Sequence, residues 1–181
     1  KLPVFWGPAM WNKRHKIGIV VTANALAVSY YNGWGKQLAH AEGPAKIDLH
    51  SPALTGFGDA LAPLLNKLPA QAKRADGLVH VALPDPLFQQ TILQFDDFPK
   101  SPTEARALVQ WRMCRDLQLP PDQTAAGFRV LSDRKSAQTV VLGQSTNQVL
   151  AEAVQTQLWA HSLVPTHIDA LSSYTCNPRP K

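Results

Sequence analysis

Cysteine is nearly absent from this chain. Cys114 and Cys176 are too few for a disulfide framework, and neither has a second cysteine or a histidine at metal-ligand spacing, so a reducing, cytosolic setting is expected. Charge is also scarce, at 17% of 181 residues. The balance is +5 with a pI near 9.4, but the lysines and arginines are dispersed and no aromatic-basic stacking stripe accompanies them. That reads as a solvated basic surface, and no nucleic-acid partner is expected. His15, His40, His50, His80, His161 and His167 never fall at i, i+3 or i, i+4, so no zinc and no other metal is expected. There is no Gly-x-Ser-x-Gly, Walker loop or Gly-x-Gly-x-x-Gly. No catalytic residue and no cofactor is assigned on this reading.

Long hydrophobic runs are missing as well. Ile17 to Gly35 is uncharged, a length that suits a membrane span, but its short buried strand, turn and alternating run read as strands. Leu2 to Lys16 sets Phe5, Trp6, Met10 and Trp11 among Lys13, Arg14 and Lys16. No apolar core and cleavage site follow, so it is not a signal peptide. It reads as an extended arm packed on its own domain, with a weak membrane-surface foot as the alternative.

What is present organises around Val79 to Phe98. Val79–Leu83 is a β-branched, apolar strand, and Pro84-Asp85-Pro86 stops it by removing backbone donors and fixing φ. Leu87 to Phe95 then reads as a new strand. Before this stop, Ile17–Val21, Ala25–Tyr31 and Trp34–His40 form a meander, with Thr22-Ala23-Asn24 as one turn and Asn32-Gly33 signalling a type I′ hairpin. Leu61, Leu64, Leu65 and Leu68 give a helix behind Asp59 as N-cap. The order is β-β-β-α-β.

After Pro84 the spacing predicts a β-α-β-β-α unit. Ser101, Pro102 and Glu104 mark a capping box, and the helix that follows carries Val109, Met113, Leu117, Cys114, Ala107 and Trp111 on a wide apolar arc, with Arg112, Arg115 and Asp116 opposite. Strands at Gly127–Leu131 and Thr139–Gly143 follow, joined by the polar turn at 132–136. Ser145 with Gln148 then reads as a second capping box ahead of Leu150, Val154 and Leu158. Thr166–Asp169 closes as a strand.

Trp111, Arg112 and Arg115 are the candidate partner-binding residues, since an aromatic anchor flanked by arginines suits an interface holding an apolar peptide residue and a carboxylate or carbonyl. The alternative is that Trp111 packs on the sheet of its own subdomain and the arginines are solvated.

"VALPDPLFQQTILQFDDFP", "EARALVQWRMCRDLQLP", "FRVL", "TVVLG" and "LWAHSLVPTHIDALS" occur in that order. In this order they resemble the PilM family of type IV pilus assembly proteins and its MSHA-pilus relative MshI, over about Lys16 to Ser173. The resemblance implies an α/β (α+β) fold: the first half of an actin/FtsA-like (RNase H-like) protein. Subdomain 1A would take 1–83 plus 163–181, and the inserted subdomain 1C would take 84–162. It further implies a scaffold at the cytoplasmic face of the inner membrane that holds the cytoplasmic tail of a PilN-like bitopic protein between 1A and 1C and connects to a motor ATPase. The family's early Ile-Gly-Ile-Asp-Ile-Gly loop corresponds here to Ile17-Gly18-Ile19-Val20-Val21-Thr22-Ala23. Val20 replaces the metal-ligating acid and Thr22 the glycine, so the nucleotide loop at Val20, Val21, Thr22 and Ala23 is degenerate and a non-catalytic adaptor is expected. The alternative is an actin-class ATP-binding protein whose second half lies outside this chain.

Overall fold

The computed structural model describes residues 15–22, 24–49, 51, 54–73, 78–131 and 138–175. Most of the N-terminal arm, Ala23, His50, the link at 74–77, the turn at 132–136 and Cys176 therefore lie outside the described residues.

Eight strands form two sheets. The larger contains β1 (Lys16–Val21), β2 (Ala25–Tyr31), β3 (Gln37–Pro44), β4 (Leu78–Leu83) and β8 (Pro165–Ala170), in the spatial order β3-β2-β1-β4-β8. The first three form an antiparallel meander, and β1, β4 and β8 run parallel. Alternation in the sequence sets the faces: in β1 and β2, Ile17, Ile19, Val21, Leu26, Val28 and Tyr30 all turn to the buried side. Against that side packs α1 (Phe57–Asn66), whose Phe57, Leu61, Leu64 and Leu65 are buried, each contributing about 1.5–3 kcal/mol.

Two turns differ from expectation. Neither Asn32 nor Gly33 has a positive φ, so the hairpin is not type I′. Instead Gly35, at φ 79°, takes the left-handed position, while the Asn32 side-chain oxygen accepts from the Trp34 and Lys36 amides at 3.0 and 2.9 Å. Helix α1 is capped by Gly56, at φ 86°, and Asp59 lies inside the first turn. A Cβ at Gly56 would collide with the Lys46 carbonyl oxygen, so glycine is required there.

The smaller sheet has the order β5-β7-β6, built from β5 (Gln89–Phe95), β6 (Thr124–Val130) and β7 (Thr139–Asn147), all antiparallel. Helix α2 (Pro102–Asp116) covers one face, and its Val109 and Met113 meet Leu93, Phe95, Ala126 and Val141. Ser101 occupies the N-cap position without a side-chain capping bond. The buried stripe of α2 is narrower than the predicted arc: Ala105, Val109, Met113 and Cys114 are inside, and Trp111 is 55% exposed.

Strand β7 runs four residues past the predicted end because Ser145 pairs with both Gln89 and Ala126. Ser145 is therefore not a cap. The N-cap of α3 (Gln148–Ala160) is Asn147, whose side chain accepts from the Val149 amide at 2.8 Å. The sequence reading assigns this helix to the inserted unit. Its buried Leu150, Val154 and Leu158 nevertheless join the core cluster of the larger sheet, with Ile17, Leu61 and Ile168. A final turn, α4 (Ser172–Thr175), follows β8.

Candidate functional site

The polar seam between the two sheets was invisible in the sequence. Gln144, 3% exposed on β7, donates to Ser173 Oγ and accepts from the Ala170 amide at 3.3 Å. Arg129 donates to the Ser173 carbonyl at 3.1 Å, the Ser172 amide donates to Asp85 at 2.8 Å, and Thr146 Oγ1 donates to the Leu87 carbonyl at 2.7 Å. The partners come from segments far apart in the chain: β7 supplies Gln144 and Thr146, β6 supplies Arg129, and these meet the segments around Asp85 and Ser173.

Two concavities adjoin on the inserted unit. One, of about 410 Å³, is lined by Ala107, Gln110, Trp111, Cys114, Arg115, Leu119 and Pro121. The Arg115 guanidinium lies 4.6 Å from the centre of a Trp111 ring, a cation–π contact. Arg112 turns away: its Nε bonds Asp116 at 2.6 Å, and Arg115 reaches the other carboxylate oxygen at 3.1 Å. The Arg112 hydrogen bond, ahead of that from Arg115, holds the Asp116 carboxyl below its usual range. The structure thus unites Trp111 and Arg115 and leaves Arg112 outside the hollow.

The second concavity, about 220 Å³, is lined by Gln89, Leu119, Pro120, Gln123, Thr124, Ser145, Thr146 and Asn147. Leu119 lines both hollows, one largely apolar and the other lined by amides and hydroxyls. The Ser145 hydroxyl, buried at 2% exposure, has no hydrogen-bond partner. A buried hydroxyl left this way costs free energy.

At the end of β1, Thr22 is tied to Ala25, with Ala23 outside the described residues. Thr22 Oγ1 bonds both the Ala25 amide and the Ala25 carbonyl at 3.1 Å, and the Thr22 amide donates to the same carbonyl at 2.9 Å. Val21 is buried and Val20 half-buried, opposite Ala27 and Ala82. Among the described residues no three His, Cys, Asp or Glu side chains group so as to hold a metal ion.

One cross-strand row on the open face of the larger sheet runs His40, Ser29, Gly18, His80, His167. Ser29 Oγ lies 2.9 Å from His40 Nδ1, and His40 Nε2 lies 3.5 Å from Glu42. The amides flanking Ser29 belong to the ladders with β1 and β3. His80 and His167 have ring centres 4.4 Å apart. Burial, then His167 and Lys16, push the His80 pKa down to about 3. Burial, then Arg129 and Arg106, lower that of His167.

No protein-family model matches the chain, and no curated protein matches it in sequence. Among solved structures the chain is similar to a PilM-PilN type IV pilus biogenesis complex, at a TM-score of 0.62 and 21% identity over 86% of this chain and 47% of that one. It is also similar to the cytoplasmic domain of EpsL, an inner-membrane component of the type II secretion system of Vibrio cholerae, at a TM-score of 0.53 and 12% identity over 92% and 60%. The chain spans about half the length of the structures it matches, 47% and 60%. The five-stranded mixed sheet, its helices and these matches together give the chain a fold shared with about half of the PilM-PilN structure.

Proposed function

We propose that this chain is a non-catalytic, partner-binding half of an actin-like scaffold at the inner-membrane platform of a type IV pilus, of MSHA kind, or of a related secretion system. Its partner is the cytoplasmic tail of a PilN-like bitopic membrane protein, and a motor ATPase is a second contact. The observation that carries this reading is the pair of hollows on the inserted unit that share Leu119 as a lining residue. An apolar tail residue seats against Trp111, beside Arg115, while backbone groups of the tail meet the side-chain amides of Gln89 and Gln123 beyond Leu119. Extended peptides bind by this combination of an anchor pocket and main-chain hydrogen bonds. The two protein structures most informative for fold are, by their own descriptions, a complex with PilN and the cytoplasmic domain of an inner-membrane component, which supports the placement at the cytoplasmic face.

The test is co-expression with each single-span membrane protein encoded beside this chain, followed by affinity purification. A stable complex is expected, weakened about thirtyfold by Trp111→Ala, as befits a central aromatic anchor. Failure of every such protein to co-purify would remove the reading. A complex indifferent to Trp111→Ala and Arg115→Ala would remove the hollows from it.

A further inference from the structure

The end of the larger sheet opposite the inserted unit gathers exposed apolar side chains and lysines. Strands β1, β4 and β8 begin there and α1 and α3 end there, because each helix runs back before the next parallel strand. Trp34, at the β2–β3 turn, is 74% exposed, and Leu38 beside it 49%. On the far side of the sheet, Trp159 ends α3 at 45% exposure and Val164 precedes β8 at 42%. Four inter-strand steps separate β3 from β8, so the flanks that carry Leu38 and Val164 stand roughly 20 Å apart. Lys16 starts β1, Lys36 leaves the β2–β3 turn and Lys67 caps α1, all at this same end.

The acidic groups among the described residues avoid it, Asp76 lying outside them. Among the described residues of this unit, Glu42, Asp48, Asp59, Asp85, Glu152 and Asp169 all lie toward the opposite end, on the later parts of strands, the starts of helices or the loops joining them. Lys46 is with them. The described residues of the unit are therefore polarised along its strands, with aromatic and cationic groups at one pole.

We infer that this pole is a docking surface for an anionic phospholipid bilayer. Two tryptophans at the edges of a lysine-bearing face suit the headgroup layer, where an indole buries its rings and keeps its N–H wet, and where each lysine gains from the negative surface potential. No helix of the described residues is long and apolar enough to cross a membrane, and the attachment is to the surface. The inference rests on the inner-membrane setting proposed above but not on the tail: vesicles contain no protein, so its failure is distinct from failure of tail binding.

The experiment is co-sedimentation of the full chain with vesicles of phosphatidylcholine alone and of phosphatidylcholine with phosphatidylglycerol. Binding is expected only with the anionic lipid and weakens as salt is raised. Lys36→Ala with Lys67→Ala lowers the partition coefficient about thirtyfold and Trp34→Ala about tenfold. Trp111→Ala, at a comparably exposed tryptophan on the inserted unit, changes nothing. All four positions are on the surface, so folding is retained. Absence of binding to anionic vesicles overturns the inference, as does binding that ignores the pole variants or follows Trp111→Ala. A concentration-dependent dimer abolished by Trp34→Ala also overturns it, assigning the surface to a second copy.

Discussion

Leu158→Ala is expected to destabilise the chain by about 3 kcal/mol, within the 2–5 kcal/mol range for a fully buried leucine whose cavity cannot collapse. Leu158 is 0% exposed in the cluster that includes Ile17, Leu61 and Ile168. The informative part is where protection is lost. Native-state hydrogen exchange of the variant should show faster opening of amides in β1, β4 and β8, because α3 closes the core beneath them. Amides of β5, β6 and β7 should keep their relative protection, since their core is built on Val109, Met113 and Val141. Loss of protection in β5 and β7 with the larger sheet spared would return α3 to the inserted unit.

The histidine pair should set the acid limit of stability. An unfolded histidine titrates near 6.5, and His80 in the folded chain titrates at about 3. Between these values the unfolded state binds more protons, so stability rises with pH and is lost as the solution is acidified from about 6.5 toward 3. At about pH 5 the linkage for this one group amounts to about 2 kcal/mol. The surroundings act in the same direction: Lys16 on β1, His167 on β8, and Arg129 and Arg106 from the inserted unit are the causes beyond burial. Asp169, on the same strand as His167, is the acidic neighbour. His80→Gln, which cannot take the proton, should match the parent chain near pH 7 and exceed it by about 2 kcal/mol near pH 5 in urea unfolding. Parallel stability curves across that interval would show that His80 is not the group responsible.

The elements that were legible in the sequence are those whose signal is local. Alternation of Leu26, Val28 and Tyr30 gave β2 its inward face, and the leucine spacing gave α1 its buried stripe. Pro102 marked the start of α2, and Pro84 the departure from the larger sheet. What failed depended on distant partners. Leu150, Val154 and Leu158 form the same stripe whichever core they enter, so their spacing could not assign α3. Ser145 has the composition of a cap, but its pairing with Gln89 and Ala126 holds it in a strand. Trp111 is two residues from Met113, about 200° around the helix, and so faces outward when Met113 points to the small sheet. Of the candidate site, Trp111 and Arg115 were legible from composition. The amide-lined hollow, the Gln144 seam and the His80–His167 contact were not, because each arises between segments far apart in the chain.

The central claim is that this half of an actin-like fold binds a protein tail through the inserted unit. Calorimetric titration, run in parallel with synthetic tails of the neighbouring bitopic membrane proteins and with Mg-ATP, tests it most directly. The account predicts saturable heat with one tail, diminished by Trp111→Ala, and none with the nucleotide, at whose loop Thr22 is tied to Ala25. Saturable binding of Mg-ATP with no response to any tail would contradict it.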